Sequence, residues 1–302
     1  MTVSVVTDST AYLAPGLAAR HGISVVPLHV VLDGVAHLDG VDIGPAELSA
    51  ALTPARGGLA YPRRSARVTT SRCSPAELAA GYAAAGGDVL AVHLSRRLSG
   101  TWDAARLAAR EVAASGTTVR VVDSRSTAMG LGLPVLAAAR AAAAGADLDG
   151  AYRAAVEVAQ RCRTLLYVDT LEHLRRGGRI GAAAALLGTA LAVKPLLHVE
   201  DGRIGPLEKV RTSAKALARL ADLAVQAAGE TPTALAVHHL AAVVRAEELV
   251  AVLRARLPRI TELHVSEVGA VVGAHLGPGM VGVVVCPGGA GDPGMDGLST
   301  PA

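Results

Sequence analysis

Apolar and polar positions in the first half of the chain alternate between short β-rich runs and alanine-rich segments of helical length. Val3 to Thr7, Val25 to Leu32, Val89 to Leu94 and Val119 to Asp123 are predicted strands, and several are apolar on both faces. Runs of that kind belong to a parallel sheet covered on both sides, since one wet face would leave every second position polar. Pro75 to Ala85, Thr101 to Ala114 and Leu131 to Ala144 have the lengths of crossover helices in βαβ units. A three-layer α/β/α domain with a parallel sheet is therefore predicted over residues 1–164.

The pattern changes after a Gly/Asp-rich break near Ala146 and a helix from Ala151 to Cys162. Strands are predicted at Thr164 to Val168, Ala192 to Val199, Arg203 to Val210, Ala234 to His239, Ile260 to Val265 and Gly282 to Cys286, with helices at Lys215 to Ala228 and Ala242 to Arg256. Asp201-Gly202 lies between two of these strands and suits a tight antiparallel hairpin. A second, two-layer α/β domain with a mixed sheet is predicted for residues 165–287, and a disordered Gly/Pro/Asp-rich tail for 288–302. The stretch Thr53 to Arg67 mixes Pro, Gly and four arginines without periodicity and reads as an exposed loop.

Composition narrows the function. The 302 residues are 51% hydrophobic and 18% charged, which describes a folded chain long enough for two cores. Aromatic residues are 2% with no Phe, so stacking platforms for nucleic acid are nearly absent, and a net charge of +3 defines no partner. Cys73, Cys162 and Cys286 are too widely spaced for a Cys-x-x-Cys pair, so no disulfide framework or metal site is encoded and a reducing, cytoplasmic setting is expected. The N-terminus lacks the basic and apolar regions of a secretory signal, and the longest uncharged apolar stretch, Ile180 to Val193, is too short to span a membrane.

Three segments share one chemistry, a strand end followed by a hydroxyl-rich turn and a helix start: Thr7-Asp8-Ser9-Thr10, Thr69 to Pro75, and Leu94 to Thr101. In a doubly wound sheet such turns gather at the carboxyl ends of the strands, where free N–H groups and helix dipoles favour an anion. Each segment can also be read as a helix cap, and Ser74-Pro75-Ala76-Glu77 is a capping box with Pro at the first helical position. The chain has no phosphate loop, and Gly130-Leu131-Gly132 lacks the third glycine of a dinucleotide fingerprint, so neither ATP nor NAD is an expected cofactor. Ser99 sits in no nucleophile elbow, and its only candidate base is His275. A serine hydrolase using Ser99 and His275, or a module binding another small anion such as a sugar phosphate, remain as alternatives. Arg175, Arg176 and Arg179 end a short helix at Gly177-Gly178, where cations match the dipole. With Lys194, Arg203, Lys209 and Arg211 they could also form a basic docking face.

Together these residues resemble the DegV family from Val3 to about Val285. The resemblance rests on the order and spacing of Val6-Thr7-Asp8-Ser9-Thr10, Val26-Pro27-Leu28, Thr70-Ser71-x-x-Ser74-Pro75, Leu98-Ser99-Gly100-Thr101, Val122-Asp123-Ser124, Gly177-Gly178-Arg179-Ile180, Lys194-Pro195 and His275-x-Gly277-Pro278-Gly279. It implies a non-enzymatic, cytoplasmic carrier with one long-chain fatty acid as ligand, its acyl chain in an apolar tunnel between the domains. A separate ATP-dependent fatty acid kinase would phosphorylate the presented carboxylate for phospholipid synthesis. The resemblance assigns Thr70, Ser99 and His275 to the carboxylate, with Asp8, Ser9, Ser95 and Gly100 as second choices, and leaves Arg175, Arg176, Arg179, Arg203, Lys209 and Arg211 for docking the kinase. The chain departs from the family pattern at Arg72 and Cys73, at Arg96, and in a longer loop carrying Arg56, Arg63, Arg64 and Arg67.

Overall fold

The structure is a computed structural model describing residues 2–53, 66–186 and 193–291. Expectations for Ala192, most of the Arg-rich loop and the tail beyond Gly291 lie outside the described residues. The first part of the chain contains β1 (Val3–Asp8), α1 (Leu17–Arg20), β2 (Ile23–Val26), β3 (His29–Leu32), β4 (Val35–Leu38), α2 (Pro45–Leu52), β5 (Val68–Ser71), α3 (Pro75–Ala85), β6 (Asp88–His93), α4 (Thr101–Ala113), β7 (Val119–Asp123), α5 (Met129–Ala143) and α6 (Leu148–Arg161). It continues with β8 (Arg163–Tyr167), α7 (Glu172–Arg176), β9 (Lys194–Glu200), β10 (Arg203–Val210), α8 (Ser213–Ala228), β11 (Thr233–His239), α9 (Val243–Arg256), β12 (Ile260–Glu267), α10 (Ala270–Leu276) and β13 (Val281–Pro287).

The predicted parallel sheet is present in the order β2-β1-β6-β7, with α3 and α4 packed together and α5 and α6 packed together against it. The second sheet, β10-β9-β8-β13-β11-β12, is mixed, since β11 and β12 run parallel and its other pairs antiparallel. Its strands send alternate side chains to opposite faces. Val281, Val283 and Val285 of β13 join α8 and α9 in one core, whereas Val284 and Cys286 join the core containing α5 and α6. Every residue of α5 from Met129 to Ala139 is buried, as required of a helix enclosed on all sides. The two units thus share a hydrophobic layer.

One predicted strand is corrected. Val25 to Leu32 divides at Pro27 into β2 in the parallel sheet and β3 in a separate antiparallel sheet, β4-β3-β5. Pro27 has no N–H for a ladder, and the next amide, Leu28 N–H, donates to Ser9 Oγ instead. The hydroxyl-rich Thr69 to Ser71 segment accordingly lies on β5, an edge of this small sheet, and not on the parallel sheet. The Asp201-Gly202 hairpin forms between β9 and β10, with positive φ of 48° and 76° at its two turn residues. Its tip meets the first unit, where Ser95 Oγ donates to Gly202 O at 2.8 Å.

Candidate functional site

Alternation along β5 leaves Thr69 and Ser71 exposed and turns Val68 and Thr70 inward. Thr70 Oγ1 lies 2.9 Å from His275 Nε2 on α10, joining residues 205 positions apart. The third assigned residue, Ser99, precedes α4, where its Oγ is 2.9 Å from Thr101 Oγ1 and accepts from Thr101 N–H at 3.3 Å. All three line one narrow cleft, whose free volume is ≈70 Å³. Its walls are largely aliphatic and come from both units: Leu28, Leu94 and Leu98, then Leu166, Val199 and Ile204, then Val271, Val272 and Leu276 of α10. No acidic residue is among the described residues of that lining.

The polar end is built on reciprocal glycine contacts. A Cβ on Gly177 would fall 2.0 Å from His275 Nδ1, and one on Gly277 2.3 Å from the His173 ring. The two motifs Gly177-Gly178-Arg179 and His275-x-Gly277 therefore interlock, each histidine resting where the other segment has no side chain. Burial, assisted by the Arg179 charge, lowers the His275 pKa to about 4, so the ring is neutral near pH 7. Its Nδ1 is buried without a hydrogen-bond partner, as is Thr127 Oγ1 on the same cleft wall.

Arg179, grouped with the docking residues from sequence, lies at the cleft. Its Nε donates to Leu98 O at 3.0 Å and its Nη1 to Gly177 O at 2.7 Å, which fixes the guanidinium at the cleft that it lines. Arg175 and Arg176 are exposed and both bind Glu172. That pairing holds the Glu172 carboxyl down at about 2. Arg203 and Lys209 sit near opposite ends of the edge strand β10, and Arg211 just beyond it, so the cations do not form a single cluster.

The second-choice residues do not line the cleft. Asp8 is fully buried, with Oδ1 capping the turn at Thr10 N–H and Oδ2 bound to His93 Nδ1 and Leu94 N–H. Ser9 bridges Asp39 and Leu28, and Ser95 is committed to Gly202 and Arg97. Gly100 is the N-cap of α4, with the Arg72 side chain lying over it. The capping box at Ser74 and Glu77 also forms, so part of the hydroxyl pattern is helix capping.

Sequence reasoning passed over Asp39. Its Oδ1 accepts from Ala270 N–H at 2.8 Å, and its Oδ2 accepts from Ser9 Oγ at 2.8 Å and Tyr12 Oη at 3.1 Å. Tyr12 Oη in turn accepts from Val272 N–H at 3.1 Å. This buried cluster caps α10, which carries His275, and Gly269 leaves room for it, since a Cβ there would lie 2.4 Å from the Tyr12 ring. The only local signal was Asp39-Gly40 at a strand end, which reads as an ordinary turn.

Ser99 and His275 share no hydrogen bond, since each is engaged by a threonine. A hydrolase would require the base on its nucleophile. Among the described residues no cluster of His, Cys, Asp and Glu could hold a metal ion, and no helix is long and apolar enough to cross a membrane.

Comparison with known proteins gives this arrangement a family. The chain is 53% identical over 287 residues to a DegV domain-containing protein of Streptomyces coelicolor, covering 94% of this chain and 98% of the relative. A DegV domain-containing protein of Mycobacterium tuberculosis is 44% identical, over 94% and 97% of the two chains. Among solved structures, a fatty acid-binding DegV family protein from Thermus thermophilus matches with a TM-score of 0.86 and 32% identity, over 95% of this chain and all of that one. The fatty acid-binding DegV from Bacillus subtilis matches with a TM-score of 0.84 and 31% identity, over 95% and 99%. The family model described as "Uncharacterised protein, DegV family" matches residues 2–288, and with relatives this similar over nearly their full lengths, the chain belongs to the DegV family.

Proposed function

We propose that this protein is a cytoplasmic carrier that holds one long-chain fatty acid in the cleft and presents its carboxylate to a separate ATP-dependent kinase. The observation that carries the reading is a narrow aliphatic cleft with its hydroxyls, a neutral imidazole and a guanidinium collected around Thr70, Ser99, His275 and Arg179. Apolar walls suit an acyl chain, at about 0.8 kcal/mol per buried CH₂, and the donors suit an ionised head group. The fatty acid-binding proteins of Thermus thermophilus and Bacillus subtilis that share this fold support the same ligand class.

The hydrogen-bond order follows from the neutral ring. With its proton on Nε2, His275 donates to Thr70 Oγ1, and the Thr70 hydroxyl proton is free for the carboxylate. Thr101 Oγ1–H can donate to Ser99 Oγ, which leaves the Ser99 proton for the same anion. The kinase would transfer the γ-phosphoryl group of ATP to a carboxylate oxygen, releasing ADP and leaving an acyl phosphate. This chain contributes positioning and charge, not a nucleophile.

The test is equilibrium binding of palmitate and methyl palmitate to lipid-stripped protein. Saturable one-to-one binding of palmitate, with the ester at least roughly tenfold weaker because it lacks the charge, is the expected outcome. Equal affinities would remove the carboxylate site from the proposal.

A further inference from the structure

We propose that Arg72 makes the head-group end of this cleft selective for a doubly charged acyl phosphate over the singly charged free acid, a reading that rests on the carrier function above. The cleft lining carries two cations, Arg72 and Arg179, and no carboxylate among its described residues. Arg179 is fastened by two neutral backbone carbonyls, and no carboxylate pairs with it among the described residues.

Arg72 sits at the other flank of the same end. Its Cδ and Nε would lie 3.0 and 3.3 Å from a Cβ on Gly100, which places the side chain over the start of α4 and beside Ser99. The first turn of a helix carries partial positive charge, so a guanidinium there is held against like charge. No ion pair or side-chain hydrogen bond compensates Arg72 among the described residues. Glu77, on the following helix, is occupied by Ser74 and His29, and Asp103 in the first turn of α4 is not part of the cleft lining. His275 adds no charge near pH 7 because burial keeps it neutral.

One carboxylate would leave this end of the cleft with an excess of about one positive charge. A phosphorylated head group carries about two negative charges, matching the two guanidiniums. The planar fork of Arg72 also offers paired donors that suit a phosphate. The free acid would then be held chiefly by Thr70, Ser99 and Arg179, and the product additionally by Arg72, so the carrier would retain the acyl phosphate until another protein removes it.

The test compares palmitate with hexadecylphosphonate, a stable dianionic mimic, at a pH where the phosphonate has lost both protons. Both are titrated into the lipid-stripped full chain as wild type, Arg72→Gln and Arg72→Lys. Wild type should prefer the phosphonate. Arg72→Gln should weaken phosphonate binding by roughly five- to tenfold with little effect on palmitate, because the residue is exposed and its contribution screened. Arg72→Lys should retain most of the preference. Equal losses for both ligands, or a preference unchanged in Arg72→Gln, would overturn the inference and leave the carrier function intact. Failure of wild type to bind either ligand would overturn the carrier function and this inference with it.

Discussion

Thr70 and Ser99 each bring one hydroxyl to the cleft, and each is already held by a neighbour that fixes its orientation. A hydrogen bond to a charged group contributes about 1.5–3 kcal/mol, so Thr70→Val and Ser99→Ala should each weaken palmitate binding by roughly ten- to a hundredfold. Unchanged affinity in both would place the carboxylate elsewhere. His275→Ala should lower kinase turnover more than affinity, because charge redistributes at the head group during phosphoryl transfer. His275 also predicts an acid sensitivity. Its folded pKa of about 4 lies below the ordinary 6.5, so its contribution to stability is fully present above pH 6.5 and is lost as the pH falls toward 4. Thermal melts across that range should show wild type losing roughly 1–3 kcal/mol more than His275→Gln; His238, whose pKa burial also lowers, titrates in both proteins and cancels. Parallel curves would contradict the assignment. At this scale the motifs singled out Thr70, Ser99 and His275, and the structure brings all three to one cleft. The motifs could not place Arg179, because a cation after a helix looks the same from sequence whether it faces solvent or folds back onto Leu98 O.

Single elements set the geometry that these residues use. The seven-residue α10 has no side-chain cap of its own and depends on Asp39, 231 positions away from Ala270. Asp39→Ala would leave Ala270 N–H, Tyr12 and Ser9 without their buried acceptor, so a loss of about 1–3 kcal/mol in stability is expected. Asp39→Asn, which keeps an acceptor, should lose less and should restore part of the palmitate affinity lost in Asp39→Ala; equal affinity in wild type and Asp39→Ala would show that α10 does not shape the cleft. Gly177→Ala isolates His275 from the fold in another way. Gly177 has an ordinary helical φ of −75°, so the strain comes from close contact, chiefly with the His275 ring, at 2.0 Å from Nδ1, and less with His173 O at 3.2 Å. Palmitate-dependent kinase turnover should fall in Gly177→Ala with little loss of secondary structure by circular dichroism. The long elements were legible because strands apolar on both faces and helices of 11 to 16 residues dominate their windows. Short pieces such as β4, β5, α2 and α10 were not, since four to eight residues carry too little periodicity and their partners are distant in sequence.

Across the whole molecule, the cleft lies where the small antiparallel sheet, the carboxyl end of β6, the mixed sheet and α10 meet, so no one unit can build it alone. The fold class could be read from the two halves, but the layer they share through α5 could not, because a helix buried all round and a helix on a surface differ only in the polarity of a few alanine-rich positions. On the proposed function, the kinase would approach the end marked by α7, whose exposed Arg175 and Arg176 share Glu172. Arg175→Glu should therefore slow phosphorylation in a salt-dependent way without changing lipid affinity. Arg179→Glu should weaken lipid binding itself, and wild-type palmitate affinity in that variant would return Arg179 to the docking surface. The most direct measurement is lipid mass spectrometry on a denaturing extract of the purified, untreated protein. Close to one long-chain fatty acid per chain is expected, reproducibly across preparations, whereas its absence from every preparation would contradict the carrier function.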